Sequence, residues 1–194
     1  MRLKLIFLTV PFFLMLFLSS CHFSEYIEYR IILGEDGKRA EMITTYSNIS
    51  SGEEREKDVK NDFERLLRDW QDDDYLLQRA EDGVVVKKRE LFIEDEKLIG
   101  RETGIIKDIT DIYTFWVSNG ERIMIFDADD YELVESNGKI LKTPKNTLIV
   151  WPDDAKELSW KMKFSDEVED FERNRGLMVK WLREYLDKKS ESDS

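Results

Sequence analysis

The chain has 194 residues, 42 acidic against 30 basic, and a formal net charge of −12. An acid excess of that size offers no basic face to nucleic-acid phosphates and is repelled by an anionic bilayer surface. One cysteine excludes an internal disulfide, and with a single histidine beside it no Cys/His transition-metal site and no Ser-His-Asp or Cys-His catalysis is expected.

At the N-terminus, Arg2 and Lys4 precede an apolar run from Leu5 to Leu18, with Pro11 inside it, and Ser19-Ser20-Cys21 follows. The run falls short of the roughly 20 residues of a spanning helix and matches the about 7–15 of a signal-peptide core. Pro11 further weakens a continuous helix. Ser20 suits an ordinary secretory cleavage site, but that reading leaves the place of the sole cysteine unexplained, and an uncleaved anchor fits worst. A structural cysteine belongs inside a packed domain. Leu18-Ser19-Ser20-Cys21 resembles the lipobox of bacterial lipoproteins, and residues 1–21 their type II signal peptide. That resemblance implies export, removal of residues 1–20, a diacylglycerol on the Cys21 sulfur and an acyl chain such as palmitate on its new amino group. It places the protein in the bacterial cell envelope. His22 stands where some Gram-negative lipoproteins carry an inner-membrane retention aspartate, which favours the outer membrane in such a host. Losing Arg2 and Lys4 takes the net charge to −14. The acyl chains, at about 0.8 kcal/mol per buried methylene, are then expected to be the only membrane contact.

Residues 21–25 read as a lipidated N-terminus and tether of at most about 17 Å, residues 26–188 as one domain and 189–194 as a frayed tail. Ile27, Tyr29, Ile31 and Leu33 alternate as in a strand, Gly34-Glu35-Asp36-Gly37 supplies a hairpin turn, and Arg39 to Tyr46 returns. Ser51 and Glu54 have capping-box spacing ahead of Val59, Phe63, Leu66, Leu67 and Trp70, an amphipathic helix ending near Gln71 and broken by Asp72-Asp73-Asp74. Val84 to Ile93 and Lys97 to Ile106 predict a hairpin across Glu94-Asp95-Glu96. Asp108 to Phe115 fits a short helical segment, and Ile112 to Val117 fits a strand start equally well. Asn119-Gly120 and Asn137-Gly138 are two-residue hairpin signals. Leu148 to Trp151 is an apolar strand stopped by Pro152, and Leu158, Trp160, Met162 and Phe164 alternate as a half-buried one. Phe171, Met178, Trp181, Leu182, Tyr185 and Leu186 mark a second helix. The expected fold is α+β: an antiparallel β-meander sheet packed against two main amphipathic helices.

Candidate sites are weak. His22, beside the anchor, reads as a solvated residue without the organised partner a base requires. Asp127-Ala128-Asp129-Asp130 starts like a calcium loop, but Tyr131, Glu132 and Gly138 stand at positions that need a ligand, a glycine and a bidentate acid. Asp72-Asp73-Asp74 and Asp153-Asp154 read as solvated loops or helix-start acids. No metal or other cofactor is expected. Trp116, Trp151 and Trp160 suit a glycan or apolar platform less well than core packing. The leading expectation is a non-enzymatic, lipid-anchored module that binds a protein or another envelope component near the membrane. A carboxylate-pair hydrolase of envelope glycans and an apolar-ligand carrier with a cavity between sheet and helices are the alternatives.

Overall fold

Period-two alternation builds the first hairpin: β1 (His22–Leu33) and β2 (Ala40–Ser51) pair antiparallel from His22 opposite Ser51 to Leu33 opposite Ala40. The computed structural model describes residues 22–112, 115–126, 130–143, 146–165 and 170–192. The leader 1–20, Cys21, Asp127 and Asp129 of the calcium-like stretch, and residues 193–194 lie outside them. The strand starts at His22, four residues before the expected Tyr26, so residues 22–25 belong to the sheet and are not a tether. Phe23 is the reason: its ring stacks on Phe164 at 4.6 Å and meets Phe171 at 5.6 Å.

β2 continues into α1 (Glu56–Asp69), whose Val59, Phe63 and Leu66 are buried. The expected capping box does not form. Ser51 closes β2, where its hydroxyl donates to Asp62 Oδ2 at 2.6 Å, and α1 begins at Arg55 without a side-chain cap. A helix the sequence reading lacked follows, α2 (Asp73–Glu81). The triple aspartate ends one helix by starting the next: Asp72 accepts the Asp74 amide at 3.0 Å, and the acids of the first turn favour the helix dipole.

β3 (Val84–Glu94) and β4 (Lys97–Ile106) form the expected hairpin, turning through Asp95 and Glu96 at φ 48° and 58°. The stretch from Asp108 supplies both readings, a 3-10 turn (Ile109–Asp111) and then β5 (Phe115–Ser118). β5 joins β6 (Glu121–Phe126) through Asn119-Gly120 with φ of 53° and 75°, the two positive values a type I′ turn requires. β7 (Tyr131–Ser136), β8 (Lys139–Lys142), β9 (Thr147–Pro152), β10 (Glu157–Phe164) and α3 (Phe171–Ser192) complete the order. The helix α3 reaches Ser192, past the point where a frayed tail was expected.

The fold is α+β with antiparallel strands, as the alternation predicts, but the strands divide into two sheets and the helices number three among the described residues. Sheet A has six strands in the order β3-β4-β2-β1-β10-β7, and sheet B four in the order β5-β6-β9-β8. Asn137-Gly138 is the point of division. β7 pairs with β10 in sheet A and β8 with β9 in sheet B, so no hairpin forms there. One face of sheet A carries the helices over β2, β3 and β4. The same face meets sheet B at the β1–β10 side, where Trp160 stacks on Tyr29 at 4.9 Å and Trp151 and Phe115 lie 6.2 and 6.0 Å from Trp160. One buried cluster runs through all of these elements.

Candidate functional site

Cross-strand register places Tyr29, Thr44, Glu102 and Arg89 in one row on the covered face of sheet A. The Glu102 side chain is 2% exposed. The α2 helix closes over it: Tyr75 Oη donates to Glu102 Oε2 at 2.9 Å, and Arg79 Nε donates to Oε1 at 3.2 Å. Arg89 Nε lies 3.5 Å from Oε2. The Arg89 guanidinium sits 4.0 Å from the centre of the Tyr75 ring and 4.5 Å from that of Trp70. Its Nη1 donates at 3.0 Å to the carbonyls of Asp69 and Trp70, the end of α1. Gly100 admits the Trp70 ring, because a Cβ there would stand 2.5 Å from the ring edge.

Two guanidiniums therefore share one buried carboxylate. Burial pushes the Tyr29 phenol up to about 12 and lifts Tyr46 well above its usual value. Tyr75 is raised by burial and then by the Glu102 charge. Burial acts to lower Arg79, but Tyr75 and Glu102 outweigh it and hold the guanidinium above its ordinary value. The three phenols stay neutral and Arg79 stays charged throughout the physiological range. A general acid or base needs a value near the working pH, and these four groups are driven away from it. The chemistry open to the cluster is cohesion: it ties α1, α2, β3 and β4 together through one side chain.

A second polar knot joins β2, α1 and α3. Asn174, fully buried, donates through Nδ2 to the carbonyls of Ser51 and Glu53, both at 2.8 Å. Burial raises Asp62 against the opposing Ser51 hydrogen bond. Ser51 and Asp62 have the spacing of a nucleophile and its partner, but Ser51 is 0% and Asp62 5% exposed. A substrate has no access to either.

The residues singled out from sequence scatter. Asp72, Asp73 and Asp74 open α2. Asp153 pairs with Arg122 at 3.2 Å in the loop between β9 and β10. Trp151 and Trp160 are core, 1% and 8% exposed, while Trp116 lies 37% exposed on β5. Trp181 packs on Phe63 at 5.9 Å. A groove of about 320 Å³ between α1, α3 and β3 is lined by Leu67, Trp70, Arg89, Leu91, Tyr185 and Leu186 among others. Among the described residues no three acids, histidines or cysteines converge as metal ligands. His22 opens β1, and Cys21 lies one residue beyond the described chain.

Sequence reasoning missed Glu102 and its partners. The available signal was parity: Glu102 is in phase with Leu98, Gly100 and Ile106, all on the buried side of β4. The Arg79 signal was absent, because α2 turns polar side chains inward and leaves Leu77 66% exposed. Comparison with family models, with curated proteins and with solved structures finds no match to the chain.

Proposed function

We propose that this chain is a lipid-anchored protein of the bacterial cell envelope, acylated at Cys21, whose folded part is a non-enzymatic binding or structural module held against the membrane. The observation that carries the reading is the place of the sole cysteine, at the end of an apolar leader and one residue before β1. An anchor there grips a sheet strand directly, and the domain has no slack with which to leave the surface. The buried polar cluster around Glu102, with its phenols and Arg79 held away from neutral titration, supports a scaffold more than a reaction centre. Outer-membrane residence in a Gram-negative host follows from His22 through the lipoprotein resemblance, and an envelope protein is the natural partner class.

Expressing the full chain and its Cys21→Ser variant in a lipoprotein-processing bacterium tests the anchor. The wild type is expected in the membrane fraction, resistant to high salt and labelled by radioactive palmitate. The variant is expected to lose the label and leave that fraction. Membrane association that survives the substitution unchanged would overturn the reading.

A further inference from the structure

The outer faces of the two sheets differ in their share of charged residues. On sheet A, the register lays Lys161, Glu28, Thr45, Arg101 and Glu90 in one row. Arg30 meets Glu157 there at 2.9 Å. Charged and polar residues dominate that row, as on a sheet face turned to water, although Ile32 and Ile105 on the same face are each 36% exposed. Sheet B is more apolar. Trp116, Ile123, Val150 and Lys139 stand in one outward row, Val150 only 8% exposed, and Ile125, Leu148 and Leu141 in the next but one. Trp116 and Leu141 are each 37% exposed. All three helices lie against sheet A.

This apolar face covers roughly 300 Å², taking about 4.8 Å per strand and about 3.4 Å per residue. That is the size of a functional patch, but a stable dimer buries about 800 Å² on each partner. The face is too small to hold a second copy by itself. The chain outside the described residues selects another occupant. It ends at Cys21, so the surface around His22 lies at membrane level. The apolar rows of sheet B follow one another along β6 toward that end. Phe164, stacked on Phe23, pairs with Tyr131 at the start of β7, the strand after β6. Arg122, at the other end of β6, donates to the Gly37 carbonyl in the β1–β2 turn at 3.3 Å. Thus β6 runs back toward the anchor, and Ile125, Leu148 and Leu141 form the outward row nearest to it. Lys139, exposed and opposite Val150, shares the outward face with Leu141, where its ammonium group can reach headgroup phosphates.

We propose that the outer face of sheet B rests on the bilayer, with Leu141, Ile125 and Leu148 against the acyl boundary, as a second membrane contact beside the lipid. The inference rests on the Cys21 anchor. It revises the expectation that the acyl chains act alone.

The acylated Cys21 leaves no free thiol, so an introduced cysteine is uniquely labelled. The lipidated full chain carrying Leu141→Cys, Ile125→Cys or Thr45→Cys is labelled with a thiol-reactive fluorophore and reconstituted in phosphatidylcholine vesicles, neutral because the chain is acidic. With brominated acyl chains in the bilayer, labels at 141 and 125 are expected to lose most of their emission and the label at 45, on sheet A, almost none. Near-UV circular dichroism checks that each variant is folded, and the half-exposed Leu141 site suffices if the substitution at 125 unfolds. A protein that floats with the vesicles but shows equal quenching at 141 and 45 keeps the anchor and overturns the docking. A wild type that fails to float overturns both. A label at 141 that is shielded without bromine quenching, in a protein of doubled mass, assigns the face to a second copy and overturns the proposal.

Discussion

Glu102 is a carboxylate taken out of water and surrounded by two guanidiniums and a phenol. Such a group is stable only with its partners in place, because the desolvation of each charge is offset by the others. Removing the negative charge leaves Arg79 and Arg89 buried without a counter-ion. Glu102→Gln is therefore expected to lower the unfolding free energy by about 3–5 kcal/mol, and Tyr75→Phe, which removes one hydrogen bond to a charged acceptor, by about 1.5–3 kcal/mol. Urea unfolding followed by tryptophan fluorescence measures both. A Glu102→Gln loss no larger than that of Tyr75→Phe would show that the carboxylate is dispensable. The groups around Glu102 explain why its position was not read as important in the sequence. A glutamate between Arg101 and Thr103 looks like one more solvated acid among 42. Only its phase with Leu98 and Ile106 separates it from the rest.

At the scale of elements, strong apolar periodicity was legible and polar function within elements was not. The alternation of β1, β2, β4 and β10, the stripes of α1 and α3 and the Asn119-Gly120 turn all follow from local pattern. The α2 helix escaped because its inward side chains are Tyr75 and Arg79. Asn137-Gly138 misled for a different reason. A type I′ hairpin needs both residues at positive φ, which Asn119 and Gly120 adopt and Asn137 and Gly138 do not. Long-range bonds decide instead: Asn137 Oδ1 accepts from Trp151 Nε1 at 2.7 Å and from the Ser159 amide at 2.8 Å, and Nδ2 donates to the Glu157 carbonyl at 3.0 Å. One amide thus ties the crossing to β9 and β10. The glycine is there for space, since a Cβ at Gly138 would stand 2.6 Å from Trp151 Nε1 and 2.8 Å from Ile149 Cγ2. Trp151 and Ile149 are 1% and 0% exposed and have little room to yield. Gly138→Ala is expected to cost about 1–3 kcal/mol by overpacking, read as a lower urea midpoint together with changed near-UV signal from Trp151. Wild-type stability and spectrum in that variant would show that the two sheets are not pinned at this point.

For the whole molecule, acidity and burial act in the same direction. Burial raises Asp62 and Asp69 on α1 and Asp82 at the end of α2 above their ordinary 3.8. The folded protein therefore holds these protons more tightly than the unfolded chain does, and its stability rises as pH falls from neutrality toward the unfolded value. Protonation also reduces the repulsion within a chain of net charge −12. Exposed acids oppose this at lower pH. Glu157 is lowered by its hydrogen bond from Arg30, Glu96 by that from Arg183, and Asp36 and Asp108 by local amide and hydroxyl donors. What they contribute is present above the ordinary carboxylate values and lost as pH falls through their depressed ones. The urea midpoint is accordingly expected to increase from pH 8 to about pH 5 and to fall again below about pH 4. Asp62→Asn, which keeps an acceptor for the Ser51 hydroxyl, should flatten part of the rise and leave the acid-side fall intact. A midpoint that grows steadily toward neutral pH would mean that the depressed surface acids, and not the buried ones of the helical layer, govern the stability of this domain.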